Sequence, residues 1–206
     1  MARGNLPAEL TSFIGRRRQL QEIKSALSAG RLVILVGPGG VGKTRLSLRV
    51  AADLQRAVRD GAWLVELAGL GDAELVPKAV MTAVGLRDES SRWPMARLID
   101  HVTTKRLLLV LDNCEHLVDA CARFAESVLR NCAGVQTLAT SREPLGIGGE
   151  TVWRMPSLRT AVIGAVESPE QLMRYAAIEL FVQSAKTASP AFVLSDGNAA
   201  AVVSVC

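Results

Sequence analysis

Gly37-Pro38-Gly39-Gly40-Val41-Gly42-Lys43-Thr44 is a stretch whose residue types can hold phosphate. It fits G-x-x-x-x-G-K-[ST], the spacing of a phosphate-binding loop. Glycines let backbone N–H groups turn inward and approach phosphate oxygens with no Cβ in the way. The positive end of a helix starting at the lysine adds to the field. Lys43 would reach the β- and γ-phosphates of a nucleotide, and the Thr44 hydroxyl would be a ligand for Mg²⁺. Pro38, Gly39, Gly40, Val41, Gly42 and Arg45 complete the candidate phosphate contacts. The plainer alternative is a tight glycine-rich turn with no ligand.

Three further side chains complement this loop. The apolar run Leu107-Leu108-Leu109-Val110-Leu111 ends in Asp112. A buried strand holds such an acid rigidly at its carboxyl end, where parallel sheets place ligands. There it can bind Mg²⁺ or a water on it; alternatively it caps the next helix. Hydrolysis also needs a carboxylate to orient the attacking water. The position after Asp112 is Asn113, which cannot act as a base. Glu115 is the nearest candidate, with a plain helix-start acid as the other reading. Slow turnover is therefore expected. Arg142, after the run Val135 to Thr140, could read the presence of a γ-phosphate, or could simply pair with Glu143.

The elements that must carry these groups follow from apolar patterning. Strands are expected at 31–36, 62–67, 106–111, 135–140 and 151–155. Helices are expected at about 16–27, 45–58, 73–84, 94–104, 115–131 and 169–188, with a last one capped by Ser195 or Asp196. A polar segment, Arg87 to Arg92, joins two of them. Strands alternating with helices give a three-layer α/β domain with a mostly parallel five-stranded sheet. This domain is expected over residues 1–157. A linker over 157–169 and a partial helical subdomain, 158–206, follow.

Composition agrees. Of 206 residues, 49% are apolar but only 4% aromatic, so the core must be aliphatic, as suits helices packed on a parallel sheet. The net charge of +4 is uneven. Residues 1–60 hold 11 Lys/Arg against 4 Asp/Glu, which fits a polyphosphate ligand. Basic residues are not interleaved with aromatics, and no helix-turn-helix with a basic recognition face is found, so direct nucleic-acid binding is not expected. The triplet Arg16-Arg17-Arg18 reads as a solvated helix start. Cys114, Cys121, Cys132 and Cys206 lack zinc-site spacing and read as buried thiols of a reducing cytoplasm. No signal peptide and no apolar run of about 18 residues is present, so neither export nor a membrane span is expected.

These segments, in this order, resemble the nucleotide-binding domain of STAND-class P-loop ATPases, the NB-ARC type, as found in large bacterial LuxR- and SARP-type transcriptional regulators. The resemblance rests on Asn5-Leu6-Pro7, Thr11-Ser12-Phe13-Ile14-Gly15-Arg16, the phosphate loop, the string Leu109 to Leu117, Ala139-Thr140-Ser141-Arg142-Glu143-Pro144-Leu145, and Ala177-Ile178-Glu179-Leu180-Phe181. It implies that Ile14 and Arg16 contact adenine and that Arg142 is a sensor arginine. It implies a sheet in which the fourth strand lies between the first and third. It also implies a switch between an ADP-bound resting form and an ATP-bound form that self-associates. Relatives usually have Glu where this chain has Arg17. They also continue into a Gly-Leu-Pro-Leu segment, a repeat-rich sensor region and a helix-turn-helix.

The expected function is thus an ATP/ADP-binding regulatory ATPase core with Mg²⁺. The alternatives are a non-hydrolysing interaction module and a small-molecule phosphotransferase. The last is thinly supported, because residues 143–168 offer only Arg154 and Arg159 for a lid.

Overall fold

Five short aliphatic strands build the sheet: β1 (Leu32–Val36), β2 (Ala62–Glu66), β3 (Leu107–Asp112), β4 (Val135–Ser141) and β5 (Glu150–Arg154). The computed structural model describes residues 4–86, 94–163 and 167–206. The Arg87 to Arg92 segment therefore lies outside the described residues, as does the middle of the 157–169 linker. All four strand pairings are parallel, in the order β2-β3-β4-β1-β5. β4 thus lies between β1 and β3, as the resemblance implies.

Parallel strands need crossovers, and the helices supply them. The crossover helices are α2 (Lys43–Leu54), α3 (Val76–Ala83), α4 (Pro94–Val102) and α5 (Val118–Asn131), while α1 (Arg17–Ala29) precedes β1. Every residue of β1 is buried, so both faces of the sheet are covered. Leu32, Ile34 and Val36 pack with Leu107, Leu109 and Leu111 and with Val80, Leu98 and Phe124 of α3, α4 and α5. By strand alternation the intervening residues, Val33, Leu35, Leu108 and Val110, turn to the opposite face. There Leu20, Ile23 and Leu27 of α1 and Leu46, Val50 and Ala51 of α2 are buried. This aliphatic packing on both faces fixes the strand ends, and with them the loops that follow.

Several helices are shorter or more broken than apolar spacing alone suggests. The stretch 73–84 begins as a 3₁₀ turn, Ala73–Leu75, capped by Asp72, whose carboxylate accepts from the Glu74 N–H. The stretch 115–131 also splits: Cys114–His116 is a 3₁₀ turn, and α5 starts only at Val118. Leu117 between them has φ −133°, incompatible with a continuous helix. Helix α2 ends at Leu54, so Leu54 and Val58 are only partly buried.

The free edge of β2 is covered by the amino-terminal segment. Asn5 clamps it as a strand would: Nδ2 donates to the Leu64 carbonyl at 2.9 Å, and Oδ1 accepts from the Leu64 N–H at 2.6 Å. This explains an asparagine that sequence patterning left without a role.

The chain divides into two units, Met1–Ala8 with Arg17–Met155, and Glu9–Arg16 with Pro156–Cys206. The second unit holds α6 (Pro169–Leu172), α7 (Ala176–Ala188) and α8 (Asp196–Val205). The stretch expected as one helix over 169–188 is therefore two. A small core of Ala161, Leu172, Ile178, Val182, Val202 and Val203 unites them. Phe181 and Phe192 add an edge-to-face contact, with centroids 6.0 Å apart. α6 begins in a full capping box, from Ser168 with Gln171, and at the start of α8 the Asn198 amide oxygen accepts from the Ser195 N–H at 2.9 Å.

Cys114, Cys121 and Cys132 are buried free thiols, but Cys206 is exposed, against expectation. No described helix is long and apolar enough to cross a membrane.

Candidate nucleotide-binding site

Strand register brings the candidate groups together at one end of the sheet. Val36 of β1 pairs with Ser141 of β4, and Leu111 of β3 pairs with Ala139. Gly37, Arg142 and Asp112 each stand just past or at those positions. The phosphate loop, the Arg142 turn and the Asp112 carboxylate therefore leave neighbouring strands side by side, in the crevice where parallel α/β sheets bind ligands.

The loop has the backbone its glycines allow. Gly40 has φ 77° and Gly42 has φ 93°, left-handed values that a residue with a Cβ rarely takes. Gly42 precedes α2 directly, and Leu46 N–H already donates to the Gly42 carbonyl at 3.0 Å. The amides of the first helical turn thus open toward the loop. Pro38, Gly39 and Gly40 are exposed; Val41 and Arg45 are half-buried. Lys43 is buried to 8% exposure, and its ammonium donates to the carbonyls of Gly37 at 2.9 Å and Pro38 at 3.0 Å. The loop is wrapped around this charge.

Asp112 sits where two hydroxyls meet. Its Oδ1 accepts from Thr44 Oγ1 at 2.7 Å and from Thr140 Oγ1 at 2.6 Å. The helix-cap alternative for Asp112 is not what the structure has. The next turn is instead preceded by Asn113, in a left-handed conformation (φ 69°) that asparagine tolerates better than most residues. The Thr44–Asp112 contact joins the phosphate loop to the end of β3. Hydroxyl and carboxylate oxygens are the donors Mg²⁺ takes when it shares its shell with phosphates and water. Among the described residues no group of three or more His, Cys, Asp or Glu is placed to hold a metal ion by itself. The donor set of Thr44 and Asp112 fits Mg²⁺.

Thr140 is the candidate site residue to which the sequence alone assigns no role. It is buried to 1% exposure, donates to Asp112 and accepts the Asn113 N–H at 2.9 Å. The available signal was a hydroxyl at the end of an otherwise apolar strand. Thr140→Val removes both bonds at nearly constant volume and leaves the Asn113 N–H without that acceptor. Its expected cost is about 1–3 kcal/mol in chemical denaturation, whereas Thr140→Ser retains most of the stability.

Glu115 and Arg142 form an ion pair with each other, Nε to Oε1, at 3.2 Å. The expected alternative partner of Arg142, Glu143, does not take that place. Glu115 lies in the 3₁₀ turn after β3, not in α5. Ile14 and Arg16 belong to the second unit. Ile14 is half-buried, and Arg16, at φ 60°, donates from Nη1 to the Pro156 carbonyl at 3.0 Å.

An uncharacterized protein of Mycobacterium tuberculosis is 36% identical over 197 residues, which is 96% of this chain and 47% of that protein. A helix-turn-helix-type transcriptional regulator of the same organism is 40% identical over 184 residues, 89% of this chain and 19% of the regulator. The regulatory protein AfsR of Streptomyces coelicolor is 32% identical over 155 residues, 66% of this chain and 15% of that protein. The chain thus spans half or less of the length of these relatives. Among solved structures, a signal transduction ATPase with numerous domains and a tetratricopeptide repeat sensor, from Pyrococcus horikoshii, aligns over 91% of this chain and 27% of its own. Its TM-score is 0.57 at 17% identity, a likeness of fold. The Cdc6 protein of Pyrobaculum aerophilum aligns over 89% of this chain and 52% of its own, with TM-score 0.56 at 15% identity. Residues 26–143 match the family model described as AAA domain. That match covers more than half of the chain and takes in the phosphate loop, Asp112, Glu115 and Arg142, and the chain belongs to this family of P-loop NTPase domains.

Proposed function

We propose that this chain is the nucleotide-operated switch core of a signal-responsive transcriptional regulator of the STAND, NB-ARC type. It binds ADP or ATP with Mg²⁺ in the cytoplasm and turns ATP over slowly. One observation carries the reading: the Thr44 hydroxyl and the Asp112 carboxylate, from loop and strand, meet at 2.7 Å beside a buried lysine.

When bound, a nucleotide with Mg²⁺ supplies the terminal phosphate and the charge that the site reads. The chain's own residues do the rest. Amides at the start of α2 and the Lys43 ammonium hold the β- and γ-phosphates. Pro38, Gly39, Gly40, Val41, Gly42 and Arg45 line the phosphate cradle. Thr44 and Asp112 hold the metal, with Thr140 orienting Asp112. Arg142 senses the γ-phosphate, and Glu115 is the base. Ile14 and Arg16 take adenine. Residues 1–157 form the nucleotide-binding domain, and 158–206 lead into a helical subdomain. The triphosphate form self-associates, and sensor and DNA-binding functions belong to other parts of a larger regulator. The names of the relatives support that setting.

Slow turnover follows from Asn113, which cannot act as a base, in the place next to the metal acid. Phosphate release from ATP is expected well below the roughly 10 s⁻¹ of a median enzyme. A steady-state phosphate assay on the purified chain tests this. A rate in the range of a vigorous motor would remove the switch reading.

A further inference from the structure

The Glu115–Arg142 pair joins the candidate base to the candidate sensor, two groups to which separate tasks are assigned above. We propose that Glu115 sets the preference between nucleoside diphosphate and triphosphate, by holding Arg142 in a pairing that the γ-phosphate must break. This rests on the nucleotide-binding reading and specifies how that site is regulated.

The pair has a fixed end and a movable end. The Glu115 side chain is only 18% exposed, while that of Arg142 is 68% exposed. Glu115 Oε2 is buried and makes no hydrogen bond among the described residues, so Arg142 is the charged partner this carboxylate has. Glu115 stands on a 3₁₀ turn pinned behind β3, with its neighbour Cys114 wholly buried. Arg142 leaves the end of β4 into solvent. An exposed arginine swings at small cost; a half-enclosed carboxylate cannot follow it. Releasing Arg142 therefore leaves a desolvated carboxylate unpaired, and that cost opposes release.

Arg142 is also placed to be captured. Its Nη2 lies 3.8 Å from where a Cβ on Gly39 would stand, so the guanidinium hangs over the phosphate loop while its Nε is engaged by Glu115. A terminal phosphate offers that guanidinium more charge and a two-pronged acceptor. A diphosphate has no group at the γ position, so with it the Glu115 pairing persists. The equilibrium between the two partners shifts only by the difference in their attraction for Arg142. Glu115 is the weight on the diphosphate side. The same contact keeps the candidate base neutralised until a triphosphate is present, so sensing and hydrolysis share one switch.

Titration of the full chain with fluorescent ADP and a fluorescent non-hydrolysable ATP analogue, in Mg²⁺, tests this. The quantity read is the ratio of the two affinities. Glu115→Gln keeps the shape and removes the charge, and it is expected to move the ratio toward triphosphate roughly three- to fivefold. Glu115→Asp, which withdraws the carboxylate from Nε, is expected to move it the same way. In an Arg142→Ala background, where there is nothing to hold, Glu115→Gln should leave the ratio in place. An unchanged ratio in both single variants would overturn the proposal. So would an equal shift with and without Arg142, since Glu115 would then act on the nucleotide directly. Wild-type chain that binds neither nucleotide would overturn the functional reading itself; binding with no response at Glu115 sinks this inference alone.

Discussion

Lys43→Ala is expected to weaken ADP and ATP binding by about a hundredfold or more. The ammonium is buried, and among the described residues only loop carbonyls accept its hydrogen bonds. In the bound state those two bonds to neutral carbonyls are exchanged for bonds from the ammonium to anionic phosphate oxygens, each worth about 1.5–3 kcal/mol. Losing about 3 kcal/mol corresponds to roughly a hundredfold in Kd. The fold should survive, because Pro38 is exposed and water can take the place of Lys43 there. Titration with a fluorescent nucleotide, alongside a melting curve, separates the two effects. Nearly unchanged affinity in a folded variant would mean that nucleotide, if bound, does not use this loop.

Asp112→Asn is expected to erase the dependence of nucleotide binding on Mg²⁺. The amide oxygen can still accept from Thr44 and Thr140, so the local scaffold stays in place. What disappears is the negative charge that a hard cation requires. Even outer-shell changes at metal sites cost about 10–100-fold in metal affinity, and loss of the anionic ligand should cost no less. The check is the ratio of ATP affinities with Mg²⁺ and with EDTA. That ratio should be large in the wild type and close to one in the variant. A variant that keeps the wild-type ratio would place the ion elsewhere.

Much of this site was legible in the chain before any coordinates. The aliphatic runs Leu32-Val33-Ile34-Leu35-Val36 and Leu107 to Leu111 read as strands because a parallel sheet covered on both faces needs unbroken apolar sequence. The phosphate loop and Asp112 declare themselves because each chemistry depends on a local string. What escaped depends on register. Thr140 and Asp112 meet only because Leu111 pairs with Ala139, and the Arg142–Glu115 pair exists only because β4 lies between β1 and β3. Local patterning holds no information on strand order, which came from resemblance alone. The clamp of Asn5 on β2 has the same origin. Helix breaks at Leu117 and after Leu172 were hidden for another reason. Apolar spacing continues through them, and only backbone angles and caps reveal the interruption. The grouping of Glu9–Arg16 with the second unit also lies beyond local reading, since it depends on contacts distant in sequence.

The account stands or falls on whether the chain takes a nucleotide at all. Calorimetric titration of ADP into the folded protein in Mg²⁺ asks this directly. One saturating site per chain, strongly weakened by Lys43→Ala, is the predicted outcome. A folded chain that shows no saturable heat with either ADP or a non-hydrolysable ATP analogue would contradict it.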